Sequence, residues 1–544
     1  MSDTDPGPDV IIIGSGPAGV SAAWPLLEAG LAVLMVDQGR TAKPDAIAAE
    51  GGSLHDLRTG DGGQWKRFLG EDFSALVPRG LVSPKLKVPG QQYVFDGFHT
   101  AYGLRTDNFH AVGSLARGGL SNVWGAGAYV YDDDDLADFP IARSDLAASA
   151  AVVARRIGLS GSRDDDMAAF YGDDMPLQPA LELDARAEKL LQAYARRKPA
   201  LNTDQFQLGR ARNAVLSQPL GARGACGYDD MCLWGCSRGA IYNAAQELVE
   251  LKKQPHFTYR SGLLVRSIEG GANSYAVVCA AADQRPVRFR SKTVVLAAGT
   301  IGSTVLALRH LRHFDRDIPL YSNPTLAVPL VLPGFLGGVL PRKNFSLGQL
   351  GFRLRTAELT DAYAHGVLFA ASGLPASAFI GQIPLSRPAA IRLFRALQPA
   401  LLIANCFLPG RFSRNFLKVS DPAATGGVAI SGGYQPGLDK VIKSTTRAMT
   451  RHFRKLGAYA VPGGARASEP GADIHYAGTL PMRADGTGSS AAPHTSSLGE
   501  LAGSPGLYVV DGAVLNQVAA KNPTFSIMAN ADRIARQIAR RLKA

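Results

Sequence analysis

Apolar residues near the start of the chain fall into short, unbroken runs that are separated by glycine. Residues 9–39 read DVIIIGSGPAGVSAAWPLLEAGLAVLMVDQG, with one apolar run at 10–13 and another at 31–36. Short continuous runs of this kind are typical of strands that are buried on both faces in a parallel sheet. The pattern predicts a strand, a glycine turn, a helix and a second strand, which is one βαβ unit.

A second group of apolar runs lies between residues 257 and 308. It comprises FTYRSGLLVRSIEG, SYAVVCAA and SKTVVLAAGTIGSTVLAL, and the last of these again predicts a strand, a glycine turn and a helix. Near the C-terminus, GLYVVDGAVLNQ at 506–517 predicts a strand and a turn. Pro523 to Arg541 then predicts one helix, with proline near its start and arginine in its last turn.

Composition and charge restrict the class of protein. The chain has 544 residues, of which 46% are hydrophobic, so it can bury a large core, and we expect two intimately joined domains. No stretch reaches the roughly 20 apolar residues of a membrane span, and the first strand begins too early for a signal peptide, so a cytoplasmic protein is expected. The formal charge of +12 is spread along the chain and interrupted by the acidic run at 132–135, which argues against nucleic-acid binding.

Three glycines after the first apolar run form a motif that is typical of nucleotide-binding loops. Gly14, Gly16 and Gly19 form the pattern GxGxxG between strand and helix. Such glycines allow a tight turn, close approach of the backbone to a pyrophosphate, and close packing of helix on strand. Asp37 ends the second strand, where a carboxylate can accept hydrogen bonds from ribose hydroxyls. The motif predicts a dinucleotide site but does not separate FAD from NAD.

The C-terminal segments decide between these cofactors by resemblance. HYAGTLPM at 475–482 and GLYVVDGAVLNQVAAKNPTFSIMANADRIARQIA at 506–539 resemble the glucose-methanol-choline oxidoreductases in order and spacing. The resemblance implies an α/β fold, in which a Rossmann-like FAD-binding domain of residues 1–155, 215–312 and 470–544 carries an inserted α+β substrate domain of residues 156–214 and 313–469. It also implies further FAD contacts at Val265, Ala298, Gly299, Asp511, Gly512, Pro523 and Thr524.

The same resemblance indicates the reacting groups. In that family, the first histidine of the HxxGT motif and a histidine or asparagine before the last helix lie over the flavin; here they are His475 and Asn522. An imidazole can take the proton of an alcohol as hydride leaves its carbon, whereas an amide can only orient the hydroxyl. The alternatives are a buried structural histidine at 475 and a simple helix cap at 522.

A glycine pair in the segment ARGGLSNVWGAG at 116–127 resembles the element that wraps the pyrophosphate in the sugar-oxidising branch of this family. Its candidate cofactor contacts are Gly118, Gly119, Ser121, Asn122 and Trp124. Some members carry a histidine that bonds covalently to the flavin at the position of Val123. Valine cannot form this bond, so we expect non-covalent, dissociable FAD.

Three of the five cysteines stand within eleven residues. Cys226, Cys232 and Cys236 resemble a ferredoxin run in which Asp229 replaces one cysteine, and a similar run occurs in iron-sulfur-containing sugar dehydrogenase subunits. The resemblance implies a 3Fe-4S cluster, or a 4Fe-4S cluster with an oxygen ligand from Asp229, that passes electrons to an external acceptor. The alternative is a structural remnant that binds nothing.

The expected activity is therefore hydride transfer from a CH–OH group of a sugar, a glycoside or another alcohol, which could be lipid-linked. A flavin oxidase that uses oxygen and a lyase with structural FAD stay open as alternatives. Residues 387–414 are apolar on nearly every side except at Arg392 and Arg395. This segment predicts a core helix on the sheet of the substrate domain or a peripheral contact with the inner membrane.

Overall fold

A computed structural model describes residues 7–42, 52–76, 84–172, 174–423, 426–484 and 492–544. Strands and helices are numbered in chain order. Five parallel strands form one sheet, in the order β21 (Leu507–Val509), β9 (Thr293–Leu296), β1 (Val10–Ile13), β2 (Val33–Val36) and β5 (Phe257–Arg260). Every residue of β1, β2 and β9 is buried, which explains their unbroken apolar sequences.

Helices and a small sheet cover the two faces of this parallel sheet. One face packs against α1 (Pro17–Glu28), α5 (Arg143–Ile157) and α14 (Thr524–Lys543). The other face packs against a three-stranded antiparallel sheet of β6 (Leu264–Gly271), β7 (Ser274–Ala280) and β8 (Pro286–Ser291). The predicted βαβ unit and the predicted last helix are both confirmed, and α14 starts one residue later than the sequence indicated.

A larger sheet of seven strands stands apart from the parallel one. It contains β4 (Phe206–Arg210), β11 (Thr325–Val331), β12 (Leu350–Thr356), β13 (Leu359–Ala370), β14 (Leu401–Phe407), β17 (Tyr459–Ala460) and β18 (Arg466–Ala467). Its neighbouring strands run antiparallel, and α7 (Ala185–Ala195) and α13 (Leu438–Lys455) pack on one face. On the other face lie α11 (Ala376–Ile380) and α12 (Arg387–Leu397).

A four-stranded sheet connects distant parts of the chain. Its order is β10 (Ile318–Leu320), β15 (Asn415–Val419), β16 (Val428–Ser431) and β3 (Leu104–Asp107), with β3 parallel to β16. It therefore joins segments that the sequence assigned to different domains. The domain boundaries themselves stay a prediction. The remaining helices and strands are α2 (Leu54–Gly60), α3 (Gln64–Leu69), α4 (Phe98–Tyr102), α6 (Ala168–Tyr171), α8 (Lys198–Thr203), α9 (Ala244–Leu251), α10 (Gly299–His310), β19 (Met482–Arg483) and β20 (Thr495–Ser496).

The interpretation of residues 387–414 as one helix is wrong. Helix α12 ends at Leu397, Pro399 follows, and residues 401–407 form β14, a strand in the interior of the seven-stranded sheet. A strand buried on both faces and a buried helix give the same unbroken apolar sequence, so periodicity could not separate them. None of the helices within the described ranges is both long and apolar enough to cross a membrane.

Candidate active site

A deep cleft opens where the strands of the parallel sheet end. The carboxyl ends of parallel strands lie at one edge, where open α/β sheets bind their ligands. The empty space in the cleft, together with its opening to solvent, has a volume of about 1320 Å³. Fourteen residues predicted from the sequence to contact cofactor or substrate line it: Gly14, Gly16, Asp37, Gly119, Ser121, Trp124, Val265, Ala298, Gly299, His475, Asp511, Gly512, Pro523 and Thr524. Ser15, which was not predicted, also lines the cleft.

The first glycine loop has the close packing that its sequence predicted. Gly14 adopts φ +104°, and a Cβ there would lie 2.4 Å from the carbonyl oxygen of Ala297. A Cβ on Gly19 would lie 2.0 Å from the carbonyl oxygen of Gly14, so helix α1 can approach β1 only without a side chain at this position. A Cβ on Gly16, in contrast, would meet nothing within 4 Å, because the loop faces the open cleft there.

Ser15 connects this loop to the carboxylate and to the second glycine loop. Its hydroxyl donates to Asp37 Oδ2 and accepts from the backbone N–H of Gly118 at 3.0 Å. Tyr259 also donates to Asp37, at 3.3 Å. Burial raises the pKa of Asp37 to about 6 despite these hydrogen bonds. A carboxylate that gains partners from a bound ribose would recover part of this desolvation cost.

Asn243 fixes the second glycine loop, a role that the sequence did not reveal. Gly118 adopts φ +82°, and a Cβ there would lie 2.6 Å from the backbone nitrogen of Ala245. The amide of Asn243 donates to Asn122 Oδ1 at 2.7 Å and caps α9 by accepting from the N–H of Ala245 at 2.8 Å. Gly118 and Asn122 therefore stabilise the loop on the side away from the cleft, while Gly119, Ser121 and Trp124 line the cleft.

The N-terminal end of α10 (Gly299–His310) forms another wall of the cleft. Gly299 adopts φ +78°, and a Cβ there would meet nothing within 4 Å. Asp511 accepts from Ser303 Oγ and from the N–H of Ala513, and burial raises its pKa to about 6. Unpaired N–H groups at the start of a helix favour anionic or electron-rich ligand atoms.

His475 and Asn522 lie side by side, as the resemblance implied. The Nε2 atom of His475 is 3.4 Å from the amide nitrogen of Asn522. The ring of Phe407 packs beside the imidazole at a centroid distance of 5.1 Å. Burial, and secondarily the charge of Lys85, lower the pKa of His475 to about 3, so the imidazole is neutral at physiological pH. The N-cap residue of α14 is Pro523 and not Asn522.

Two buried residues behind His475 were missed from the sequence. The Nδ1 atom of His475 lies 3.0 Å from Oδ1 of Asn323, which is 1% exposed. The carboxylate of Asp473 accepts from the backbone N–H groups of Asn323, at 2.8 Å, and of His475, at 3.1 Å. Its other oxygen is buried without a hydrogen-bond partner, and burial raises its pKa to about 7. Neither residue belongs to a motif that local sequence could indicate.

The predicted iron-sulfur site is not assembled in this structure. Within the described ranges, no group of three or more His, Cys, Asp or Glu side chains is placed to hold a metal ion. Cys226, Cys232 and Cys236 are free thiols that pack against the core, and burial raises the pKa of Cys226 to about 11 and of Cys232 to about 12. The predicted oxygen ligand Asp229 is directed toward Arg238 instead, at 3.7 Å.

Comparison with known proteins agrees with the cleft as a flavin site. The family described as FAD binding domain matches residues 8–56, which contain the first glycine loop and Asp37. The fold resembles that of pyridoxine 4-oxidase from Mesorbium loti, with a TM-score of 0.60 and 15% sequence identity over 97% of this chain and 98% of the other. The chain therefore has an α/β fold with an FAD-binding domain.

Two curated relatives are similar over part of their length. Paromamine 6'-oxidase from Streptomyces fradiae is 28% identical over 312 residues, which is 55% of this chain and 49% of the relative. The 6'''-hydroxyparomomycin C oxidase from Streptomyces lividus is 26% identical over 317 residues, 57% of this chain and 51% of the relative. The chain thus spans about half the length of the curated relatives that it matches.

The residues of the cleft fit FAD on structural grounds as well. Gly16 and Gly299 leave open space where any other residue would project a side chain. The buried carboxyl of Asp37 lies at the end of β2, and two helices begin at the cleft. These are the features that a dinucleotide with a pyrophosphate and a ribose requires.

Proposed function

We propose that this chain is an FAD-dependent oxidoreductase that oxidises a CH–OH group of a sugar, a glycoside or another alcohol. The observation that carries the proposal is the neutral, partly buried His475, with Nε2 beside the amide of Asn522, next to a cleft that fits FAD. The two curated relatives are named as oxidases of paromamine and of 6'''-hydroxyparomomycin C, which supports a sugar or glycoside as the substrate class.

The chemistry divides between the cofactor and the side chains. FAD supplies the acceptor for the hydride that leaves the alcohol carbon. The residues of this chain bind the hydroxyl and take its proton. Asn522 donates a hydrogen bond that orients the alcohol oxygen, and Nε2 of His475 accepts the O–H proton, so that the alcohol becomes a carbonyl. A neutral imidazole is required for this step, in agreement with the lowered pKa of His475.

The first prediction tests this role. His475→Ala should retain FAD and slow anaerobic reduction of the flavin by about 100-fold or more, the usual scale of a lost general base. Rapid mixing with a panel of sugars, glycosides and paromamine measures the rate. Asn522→Ala is the matched variant, and it should lose less because water can replace part of an orienting amide. An unchanged rate in His475→Ala would remove this residue from the chemistry.

The electron acceptor is a separate question. Both curated relatives are named as oxidases, so oxygen is the first acceptor to test, by hydrogen peroxide formation. An iron-sulfur cluster at Cys226, Cys232 and Cys236 would pass electrons to a one-electron acceptor, and transfer of the hydride and the proton does not require it. Stoichiometric iron and sulfide after anaerobic purification would support the cluster, and fully active protein without iron would leave these thiols as a structural remnant.

Peripheral membrane contact and a lipid-linked substrate also remain proposals. Their support is a surface at α12, where Leu385, Ile391 and Leu393 are more than 40% exposed beside exposed Arg387 and Arg392. A surface with both apolar and cationic side chains suits anionic lipids. Sedimentation with anionic vesicles tests this contact, and equal binding by Ile391→Ser/Leu393→Ser would count against it.

A further inference from the structure

Asn323 lies just before β11 and its side chain is buried, with a fixed orientation. Its amide nitrogen donates to the carbonyl oxygens of Leu408 and Ala519, each at 2.8 Å. Only the NH₂ end of an amide can donate, so these two carbonyls determine which end is nitrogen. The oxygen Oδ1 must therefore be the atom that lies 3.0 Å from Nδ1 of His475.

This orientation determines the tautomer of His475. An amide oxygen can only accept a hydrogen bond, so Nδ1 must carry the hydrogen. The imidazole is neutral because burial lowers its pKa to about 3, and a neutral ring has a single N–H. Nε2 therefore bears a lone pair. The nitrogen of Asn522 at 3.4 Å from Nε2 is a donor and agrees with this assignment.

The backbone keeps Asn323 and His475 together. Both N–H groups donate to the same oxygen of Asp473, whose side chain is fully buried. The two residues are 152 positions apart in the chain. A shared carboxylate acceptor thus maintains the side-chain hydrogen bond between them.

We propose that Asn323 is a positioning residue that holds His475 in the Nδ1–H tautomer, so that Nε2 faces the substrate as a proton acceptor. The catalytic consequence rests on the proposed function, whereas the tautomer itself does not. Asn323 is not among the residues that line the cleft, and it acts through the imidazole of His475. A similar second partner orients the catalytic or ligating histidine in many enzymes.

The tautomer can be observed without any substrate. Protein labelled with ¹⁵N-histidine and loaded with FAD should show a protonated Nδ1 and an unprotonated Nε2 for His475, assigned by loss of the signals in His475→Gln. Asn323→Leu should populate both tautomers. Protonated Nε2 in the wild-type protein would overturn the proposal. If the expected tautomer is seen and no alcohol reduces the flavin, the proposed function fails and the tautomer assignment stands.

Three variants separate positioning from a structural role. Asn323→Asp keeps an acceptor for Nδ1 but loses both donors to carbonyls, and Asn323→Leu loses all three hydrogen bonds. Asn415→Leu is the matched control, because Asn415 is 2% exposed and its amide also donates to a carbonyl, that of Leu320, at 3.0 Å. We expect flavin reduction to slow by about 10-fold or more in Asn323→Leu, and by clearly less in Asn323→Asp.

The outcome for a purely structural Asn323 is different. The rate of flavin reduction would then fall equally in both Asn323 variants, in proportion to the decrease in their Tm. Asn415→Leu would show the same relation between lost rate and lowered Tm. That result would overturn the proposal. Loss of activity in Asn323→Leu with recovery in Asn323→Asp, at a similar Tm for the two variants, would support it.

Discussion

At the scale of residues, two neighbouring groups have pKa values shifted in opposite directions by the same cause. Burial lowers the pKa of His475 to about 3 and raises that of Asp473 to about 7. Both shifts favour the neutral form, as expected where charge is desolvated. Oδ2 of Asp473 lies 4.0 Å from Nδ1 of His475. An ionised Asp473 would therefore stabilise the imidazolium that forms when Nε2 accepts a proton.

This arrangement predicts the pH dependence of flavin reduction. The active form of Asp473 is the carboxylate, so the rate should fall as the pH drops through about 7, the pKa of this group. His475 should add no step near its ordinary pKa of 6.5, because it stays neutral down to about pH 3. In Asp473→Asn the rate at high pH should be about 10-fold lower, the effect of one pKa unit of interaction.

The measurement is the rate of anaerobic flavin reduction across the range in which the protein is stable. The profile of Asp473→Asn should be flat from about pH 5 to pH 8, since its amide does not titrate there. An acid limb near pH 7 that persists in this variant would assign the limb to another group. His475→Ala is unsuitable as the control here because it removes the base itself.

The sequence alone could identify only two of the four residues discussed at this site. His475 and Asn522 stand in motifs that resemble a known family, and the structure brings them to 3.4 Å. Asn323 and Asp473 have no such context, because Asn323 meets His475 only through pairing of segments 152 residues apart. The roles of all four residues stay proposals until variants are measured.

At the scale of elements, the glycine loop between β1 and α1 has two glycines with different physical tasks. A Cβ on Gly19 would lie 2.0 Å from a backbone oxygen, so Gly19→Ala must separate helix from strand. A Cβ on Gly16 would have nothing within 4 Å, and the backbone there has an ordinary φ of −68°. Gly16→Ala should therefore leave the fold intact while its methyl group enters the space for the pyrophosphate.

The prediction separates folding from cofactor binding. Gly19→Ala should lower the Tm of the apoprotein by about 3 °C, the upper end of the usual cost of overpacking. Gly16→Ala should leave this Tm within about 1 °C and weaken FAD binding by about 10-fold or more. Thermal melts of apoprotein and FAD titrations measure both, with Gly60→Ala, at the end of α2, as the control. A lowered Tm in Gly16→Ala would contradict the open geometry.

Elements were predictable from sequence where the pattern had one meaning. The βαβ unit at the N-terminus and α14 at the C-terminus have caps, glycines and lengths that agree with their periodicity. The sequence of residues 401–407 was ambiguous, because seven mostly apolar residues within a longer apolar stretch fit either a helix or a strand. Their pairing with β11 and β13, which lie on either side, made them a strand, and that pairing is not local information.

At the scale of the whole molecule, the cleft is built from segments that are far apart in the chain. Its walls come from residues 13–38, 98–124, 263–306 and 474–527. The hydrogen bond between His475 and Asn323, and the pairing of β3 with β16, cross the predicted domain boundaries. We therefore expect one cooperative unfolding transition for the region around the cleft, and not a separate one for each predicted domain.

FAD should stabilise this whole unit, because it binds the assembled walls and not the unfolded chain. A ligand at 100 times its Kd stabilises the folded state by about 2.7 kcal/mol, so the Tm should rise by roughly 2 °C in a unit of this size and keep rising with the logarithm of FAD concentration. ADP should give a smaller shift, since it lacks the isoalloxazine ring that would reach His475, and Gly16→Ala should need more FAD for the same shift. Differential scanning calorimetry of apoprotein with increasing FAD measures these effects. A second transition whose temperature does not change with FAD would show that the seven-stranded sheet unfolds independently. That result would support the predicted boundaries as real domain limits.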